Sequence, residues 1–129
     1  MRIALLLFLV FFLTGCHLPQ NNLIDRPKAE DPYSWDFGQA RQGVVLRYNF
    51  VLKNESKNIL NIKEINTSCG CAVSQVKKKT LLPGESTLIE VKFDTKGYSG
   101  VVQQYIYVHT DNLENPILKF TIKAEVVNS

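Results

Sequence analysis

From Val44 onward, apolar residues fall at every second position in run after run, and that alternation most limits what the chain can fold into. A period of two sends apolar side chains to one face of a strand and polar ones to the other; a helix needs a period near 3.6. Leu46, Tyr48, Phe50 and Leu52 alternate with Arg47, Asn49 and Lys53. Ile89, Val91 and Phe93 alternate with Glu90, Lys92 and Asp94. Leu118, Phe120, Ile122, Ala124 and Val126 alternate with Lys119, Thr121, Lys123 and Glu125. Between the last two runs, Val102, Ile106 and Val108 share one strand face while Tyr105, Tyr107 and His109 share the other. No segment after residue 16 carries a helical period.

Turn signals separate these runs. Asn54 to Asn58 are five consecutive polar residues, and Asp94 to Gly100 contains two glycines. Asp111 to Pro116 forms a further loop. Leu82-Pro83-Gly84-Glu85 has the chemistry of a type II turn: proline presets the first central φ, and glycine takes the positive φ of the second. Leu60 to Ile65 reads as a strand, and Ala72 to Val76 as a short one at a sheet edge. Six or seven strands, each apolar on one face, must stack as two sheets. The expectation is an all-β, immunoglobulin-like antiparallel β-sandwich of about seven strands, with Phe50, Val91, Ile106 and Phe120 buried. At 129 residues there is room for one such domain. The single tryptophan, Trp35, precedes these runs, and Cys69 and Cys71 stand two residues apart. The antibody pattern of a core tryptophan against an inter-sheet disulfide is therefore absent.

The N-terminus has a different character. Met1-Arg2 is a short positive start, and Ile3 to Leu13 is an almost unbroken apolar run. It is shorter than the roughly 20 residues that span a bilayer but suits the core of an export signal. It ends in Leu13-Thr14-Gly15-Cys16, which resembles a bacterial lipobox. That resemblance implies cleavage before Cys16 and acylation of its thiol and freed amine, so residues 1–15 are a lipoprotein signal peptide. The plain alternative is an ordinary export signal beside an incidental cysteine. Residues 16–31 are polar and aperiodic, with Pro19 and Pro27, and read as a flexible tether to a domain at 32–129. The expected location is the cell envelope, anchored to a membrane by lipid. His17, where an aspartate would favour inner-membrane retention, points to the outer membrane in a cell that has one.

Assigning Cys16 to lipid leaves Cys69 and Cys71, flanking Gly70 in the stretch Thr67-Ser68-Cys69-Gly70-Cys71-Ala72. In an extended strand such residues sit near the upper limit of disulfide geometry, about 6.8 Å between Cα atoms. Gly70 is expected to supply backbone angles closed to other residues and so bring the sulfurs together. Apolar alternation stops at Ile65 and the next three residues are polar, so the pair should lie at a strand-to-strand corner near the surface. Three readings stay open: a structural staple or small packers, a labile redox-active disulfide, or a two-thiolate site for a soft metal ion.

Other chemistry finds less support. The chain has 15 basic and 12 acidic residues, a net +3, with one basic run at Lys77-Lys78-Lys79. That is too weak and scattered for nucleic acid, and the run reads as a solvated turn. The only histidines are His17, beside the anchor, and His109, alone at a strand end; no catalytic constellation is visible. No enzyme activity and no cofactor are expected. The Tyr105-Tyr107-His109 row is either an ordinary half-exposed sheet face or a partner-binding strip, since tyrosine is enriched at interfaces.

Asp36-Phe37-Gly38, Gly43, Phe50, Asn54, Leu60, Ile62, the Thr67-to-Cys71 run, Pro83-Gly84-Glu85, Val91 and Phe93 resemble a bacterial domain-of-unknown-function family. Its members are single Ig-like domains, secreted or lipid-anchored, with a TSCGCT-type motif and a PGE turn, similar in fold to the major sperm protein, hydin and PapD-like group. The resemblance covers roughly residues 33 to 127. Ala72 departs from the family's usual threonine, and Asp111-Asn112 from its usual asparagine. It implies the fold and leaves activity open. The functional expectation is a lipid-anchored envelope module that binds a protein or envelope component. The alternative is a thiol-redox or soft-metal-handling lipoprotein using Cys69 and Cys71.

Overall fold

The computed structural model describes residues 31–70 and 72–128. The signal segment, Cys16, the tether through residue 30, and Cys71 lie outside the described residues.

Among the described residues eight strands follow one another: β1 (Ser34–Arg41), β2 (Val45–Lys53), β3 (Leu60–Thr67), β4 (Ala72–Val76), β5 (Thr80–Leu81), β6 (Ser86–Asp94), β7 (Gly100–Thr110) and β8 (Ile117–Val127). They form a five-stranded sheet, β1-β8-β7-β3-β5, facing a three-stranded sheet, β2-β6-β4. This is the expected Ig-like sandwich. β4 is an edge strand, as its short apolar run suggested. The count exceeds about seven because β5, only two residues long, interrupts the run before the Pro83 turn. All ladders are antiparallel except one: β1 runs parallel to β8, with Ser34 opposite Thr121 and Arg41 opposite Val127. Alternation is the same in either direction, so the residue pattern was silent on this pairing.

The core is the set of residues the alternation selected. Phe50, Val91, Ile106 and Phe120 are all buried, together with Leu52, Ile62, Ile89, Phe93, Val108 and Ile122. They come from both inner faces and fill the layer between sheets that pack about 10 Å apart.

The two long sides of the sandwich are finished differently. On the β1/β2 side, Trp35 of the large sheet stacks on Tyr48 of the small one, ring centres 4.2 Å apart and 11° from parallel. Phe37 meets both rings edge-on. Offset stacking and edge-to-face contacts are the favoured arrangements of aromatic rings, so this side is sealed by a four-ring cluster that includes Phe50. On the opposite side β3 faces β4, and no comparable seal exists among the described residues.

The turn at Leu82–Glu85 has the predicted form. Gly84 sits at φ +83°, and the Glu85 N–H donates to the Leu82 carbonyl at 3.0 Å. The turn is also tied down from outside. Gly84 N–H donates to the Asn54 carbonyl and Asn54 N–H to the Glu85 carbonyl, both at 2.8 Å. Lys78 Nζ lies 2.7 Å from Glu85 Oε2. That bond, then one from the Leu82 N–H, holds the Glu85 carboxyl below its usual range.

Candidate functional site

At the end of β3 the chain leaves the large sheet and crosses to the small one, so the sequence that carries the cysteines is a sheet-to-sheet corner. Ser68 is bonded to β7 on both sides: its N–H donates to the Tyr105 carbonyl and its Oγ accepts from the Tyr105 N–H, each at 2.9 Å. The same Oγ donates to Gln104 Oε1. The Thr67 hydroxyl lies 2.8 Å from the Cys69 carbonyl and 3.0 Å from that of Ala72, one proton shared between two acceptors. Ala72 N–H closes the turn onto the Cys69 carbonyl. The polar Thr67-Ser68 pair, whose role in the sequence was only to end an apolar run, thus pins the corner.

Cys69 is disulfide-bonded and packs, partly buried, against the core. The chain's other cysteines, Cys16 and Cys71, both lie outside the described residues. A disulfide sulfur does not titrate and is not a thiolate, so in this state Cys69 is neither nucleophile nor metal ligand. Among the described residues no three His, Cys, Asp or Glu side chains group in a way that would hold a metal ion.

Gly70 corrects one expectation. Its φ lies outside the left-handed region that Gly38, Gly43, Gly84, Gly97 and Gly100 occupy. A Cβ built on it meets nothing within 4 Å. Among the described residues, therefore, nothing in the backbone or packing of the corner requires a glycine there. The polar clamps of Thr67 and Ser68 set the bend instead. Gly70→Ala should leave stability within about 0.5 kcal/mol of the parent or raise it slightly. Gly84→Ala, forced into φ +83°, should lose about 1–2 kcal/mol. Urea midpoints of the two variants check the contrast, and equal losses would restore a conformational role to Gly70.

The three residues of the second sequence-derived candidate share one face of a strand. Tyr105, Tyr107 and His109 stand half-exposed on the outer face of β7, opposite the buried Val102, Ile106 and Val108. The two tyrosine rings are 6.3 Å apart and tilted by 42°. Lys119, on the neighbouring strand β8, places its ammonium 4.9 Å from the centre of the Tyr105 ring, a cation–π contact. His109 Nε2 lies 3.2 Å from the Asn66 side chain of β3. With the Asn66 amide turned so that its oxygen accepts from His109, its nitrogen reaches Glu64 Oε1 at 3.1 Å. The row is thus a continuous aromatic-polar strip across three strands, and only its β7 part was visible as alternation. Lys119 and Asn66 join through strand pairing, which one chain's periodicity does not encode.

Asn54 entered the sequence reasoning only as one of the residues that carry the family resemblance, and its buried position escaped it. It opens a five-residue polar turn, yet it is 1% exposed. Its Nδ2 donates to the Asn58 and Leu81 carbonyls at 2.8 and 3.0 Å, and its Oδ1 accepts from both the N–H and the hydroxyl of Ser56. A lone asparagine in a polar run gives no signal that it turns inward. Asn61 and Asp111 make a similar tie, their side chains 2.7 Å apart. The Asn61 side chain and N–H hold the Asp111 carboxyl below its usual range.

A family model described as a protein of unknown function, DUF1573, matches residues 30–126. No curated protein sequence matches the chain. Among solved structures, a protein of unknown function from Porphyromonas gingivalis W83 is similar with a TM-score of 0.65 and 19% identity, covering 72% of this chain and 44% of that one. The PapD-like domain 7 of human CEP192 is similar at 0.57 and 12% identity, over 80% of this chain and 92% of that domain. A family 123 glycoside hydrolase from Clostridium perfringens is similar at 0.60 and 12% identity, but only 23% of its length is covered. The chain spans less than half the length of the Porphyromonas protein and less than a quarter of the hydrolase. At these identities the likeness is one of fold.

Proposed function

The chain belongs to the DUF1573 family of proteins of unknown function, and from that premise we propose that it is a lipid-anchored cell-envelope module that binds another protein or envelope component and performs no catalysis. The observation that supports this most is the Tyr105-Tyr107-His109 strip, half-exposed on a sheet face that no described element covers. Tyrosines held rigid by a sheet offer large contact area at small entropic cost, and Lys119, Asn66 and Glu64 around them supply polar contacts. A PapD-like sandwich suits this role because both sheets are filled by core and leave their outer faces for recognition.

Anchoring through Cys16 is the part most directly tested. Cys16→Ser should move the protein out of the membrane fraction or leave it unprocessed with its signal attached. Unchanged fractionation and processing would sink the lipid anchor while leaving the binding face untouched.

The disulfide at Cys69 supports a second reading, thiol–disulfide exchange, over soft-metal ligation, which requires thiolates. On that reading an alkylating agent should label Cys69 in the native chain after mild reduction. Labelling only after unfolding would assign the bond a structural role.

A further inference from the structure

We propose that the open edge of β4 receives an extended peptide of a partner protein as a fourth strand of the small sheet, antiparallel to β4, with an acidic residue at the peptide's N-terminal end beside Lys79. The phase of hydrogen bonding decides which groups are free. Lys77 N–H donates to the Leu88 carbonyl, and Gln75 and Val73 stand opposite Glu90 and Lys92 in the same register. Antiparallel pairs alternate between bonded and non-bonded, so the N–H and C=O of Ser74 and Val76 point away from β6, off the sheet. Across the gap the same logic applies to β3. Ser68 bonds to Tyr105, so Asn66 and Glu64 face β7, and the backbone of Ile65 faces outward. β5 covers only Leu60 and Asn61 of that edge.

Between these edges lies a groove of about 340 Å³ lined by Ile62, Glu64, Ile65, Ser74, Gln75, Val76 and Lys79. It is closed at one end by the Thr67–Ala72 corner and at the other by the bond from Ile62 N–H to the Lys79 carbonyl. Its length is that of β4, five residues. The opposite side of the sandwich, by contrast, is sealed by the Trp35–Tyr48 stack.

Three observations define the occupant. Outward backbone donors and acceptors at alternate residues call for an extended strand. Ser74 Oγ is buried and is the one such side-chain atom among the described residues with no hydrogen-bond partner; native chains rarely leave such a group unpaired without a use for it. It lies on the inward face of β4, between buried Ala72 and partly buried Val76, so the incoming strand would place a hydroxyl opposite Ser74, to pair with its Oγ, and an apolar residue opposite Val76. Lys79 is exposed at the groove's end and forms no ion pair among the described residues, where the only two bridges are Lys78–Glu85 and Lys92–Glu90. A carboxylate there meets an unneutralised charge. A second copy paired two-fold through β4 would bring to Lys79 the stretch from Thr67 to Ala72, which has no acidic residue.

The test uses the full chain in detergent micelles and a fluorescein-labelled six-residue peptide that begins with aspartate, alternates valine and threonine, and ends in a serine placed opposite Ser74. Saturable binding is expected, with new protection from hydrogen exchange at the Ser74 and Val76 amides. Lys79→Glu should weaken binding at least tenfold. N-methylation of the valine amides should abolish it, while N-methylation of the threonine amides should leave it within about twofold, because only one edge of the peptide pairs with β4. Absence of binding at about 1 mM peptide would overturn the proposal. Binding indifferent to valine methylation, or protection confined to the Tyr105-Tyr107-His109 strip, would do the same. So would protection of Ser74 and Val76 without peptide: concentration-dependent protection would assign the edge to a second copy, and concentration-independent protection to residues 1–30 of the same chain. Failure here leaves the tyrosine face standing, since that face is the outer surface of β7 whereas the peptide pairs through its backbone with β4 of the small sheet.

Discussion

Phe120→Ala is expected to destabilise the protein by about 3–5 kcal/mol, a large part of the roughly 5–15 kcal/mol that holds a domain folded. Phe120 has no exposed surface and its ring lies 4.9 Å from that of Phe50 and 5.1 Å from that of Tyr33. It joins the two sheets and also holds the first described residues against the core. Removing it leaves a cavity between sheets that cannot close, because both are fixed by their own ladders. Urea unfolding followed by the fluorescence of Trp35, the only tryptophan, reads the loss directly. A loss below about 1 kcal/mol would mean that the packing around Phe120 is far looser than its burial indicates.

Asn54→Ala should come next, at about 2–4 kcal/mol. The substitution deprives the Asn58 and Leu81 carbonyls of their shared donor and the Ser56 N–H and hydroxyl of their acceptor. A buried polar group left unpaired costs about 1–3 kcal/mol, more than the bond itself contributes. Asn54 also holds the Pro83-Gly84-Glu85 turn through its backbone, so the loop and the turn should loosen together. Asn54→Asp separates the two parts of the argument. It keeps the oxygen that faces Ser56 but sets a carboxylate oxygen against two carbonyls, and should therefore be at least as destabilising as alanine. If both variants unfold near the parent midpoint, the corner is solvated and the buried network has no weight.

Both residues show how the sequence and the fold divide the explanation. Phe120 was predictable from alternation alone, because a strand with one apolar face has only one way to hide it. The same reasoning placed Phe50, Val91 and Ile106, the edge position of β4, a strand-to-strand corner after Ile65, and the Pro83-Gly84 turn. These features depend on local period and local backbone chemistry, which a linear sequence carries in full. Asn54 was not predictable, since whether a polar turn residue faces water or two carbonyls depends on what lies across the fold from it.

The corner at Cys69 makes the same point with the opposite outcome. Its position followed from where the apolar run stops, but its cause did not. Glycine between two cysteines suggested a backbone that only glycine can adopt; the bend is held instead by local bonds from the Thr67 hydroxyl to the Cys69 and Ala72 carbonyls and by the bonds that tie Ser68 to β7. The parallel pairing of β1 with β8, the Trp35–Tyr48 stack that seals one side, and the open β3–β4 groove on the other were likewise decided only in three dimensions. Periodicity determines which face of a strand is buried. Which strand lies beside it, in which direction, and whether an edge is left uncovered are set by contacts between residues far apart in the chain.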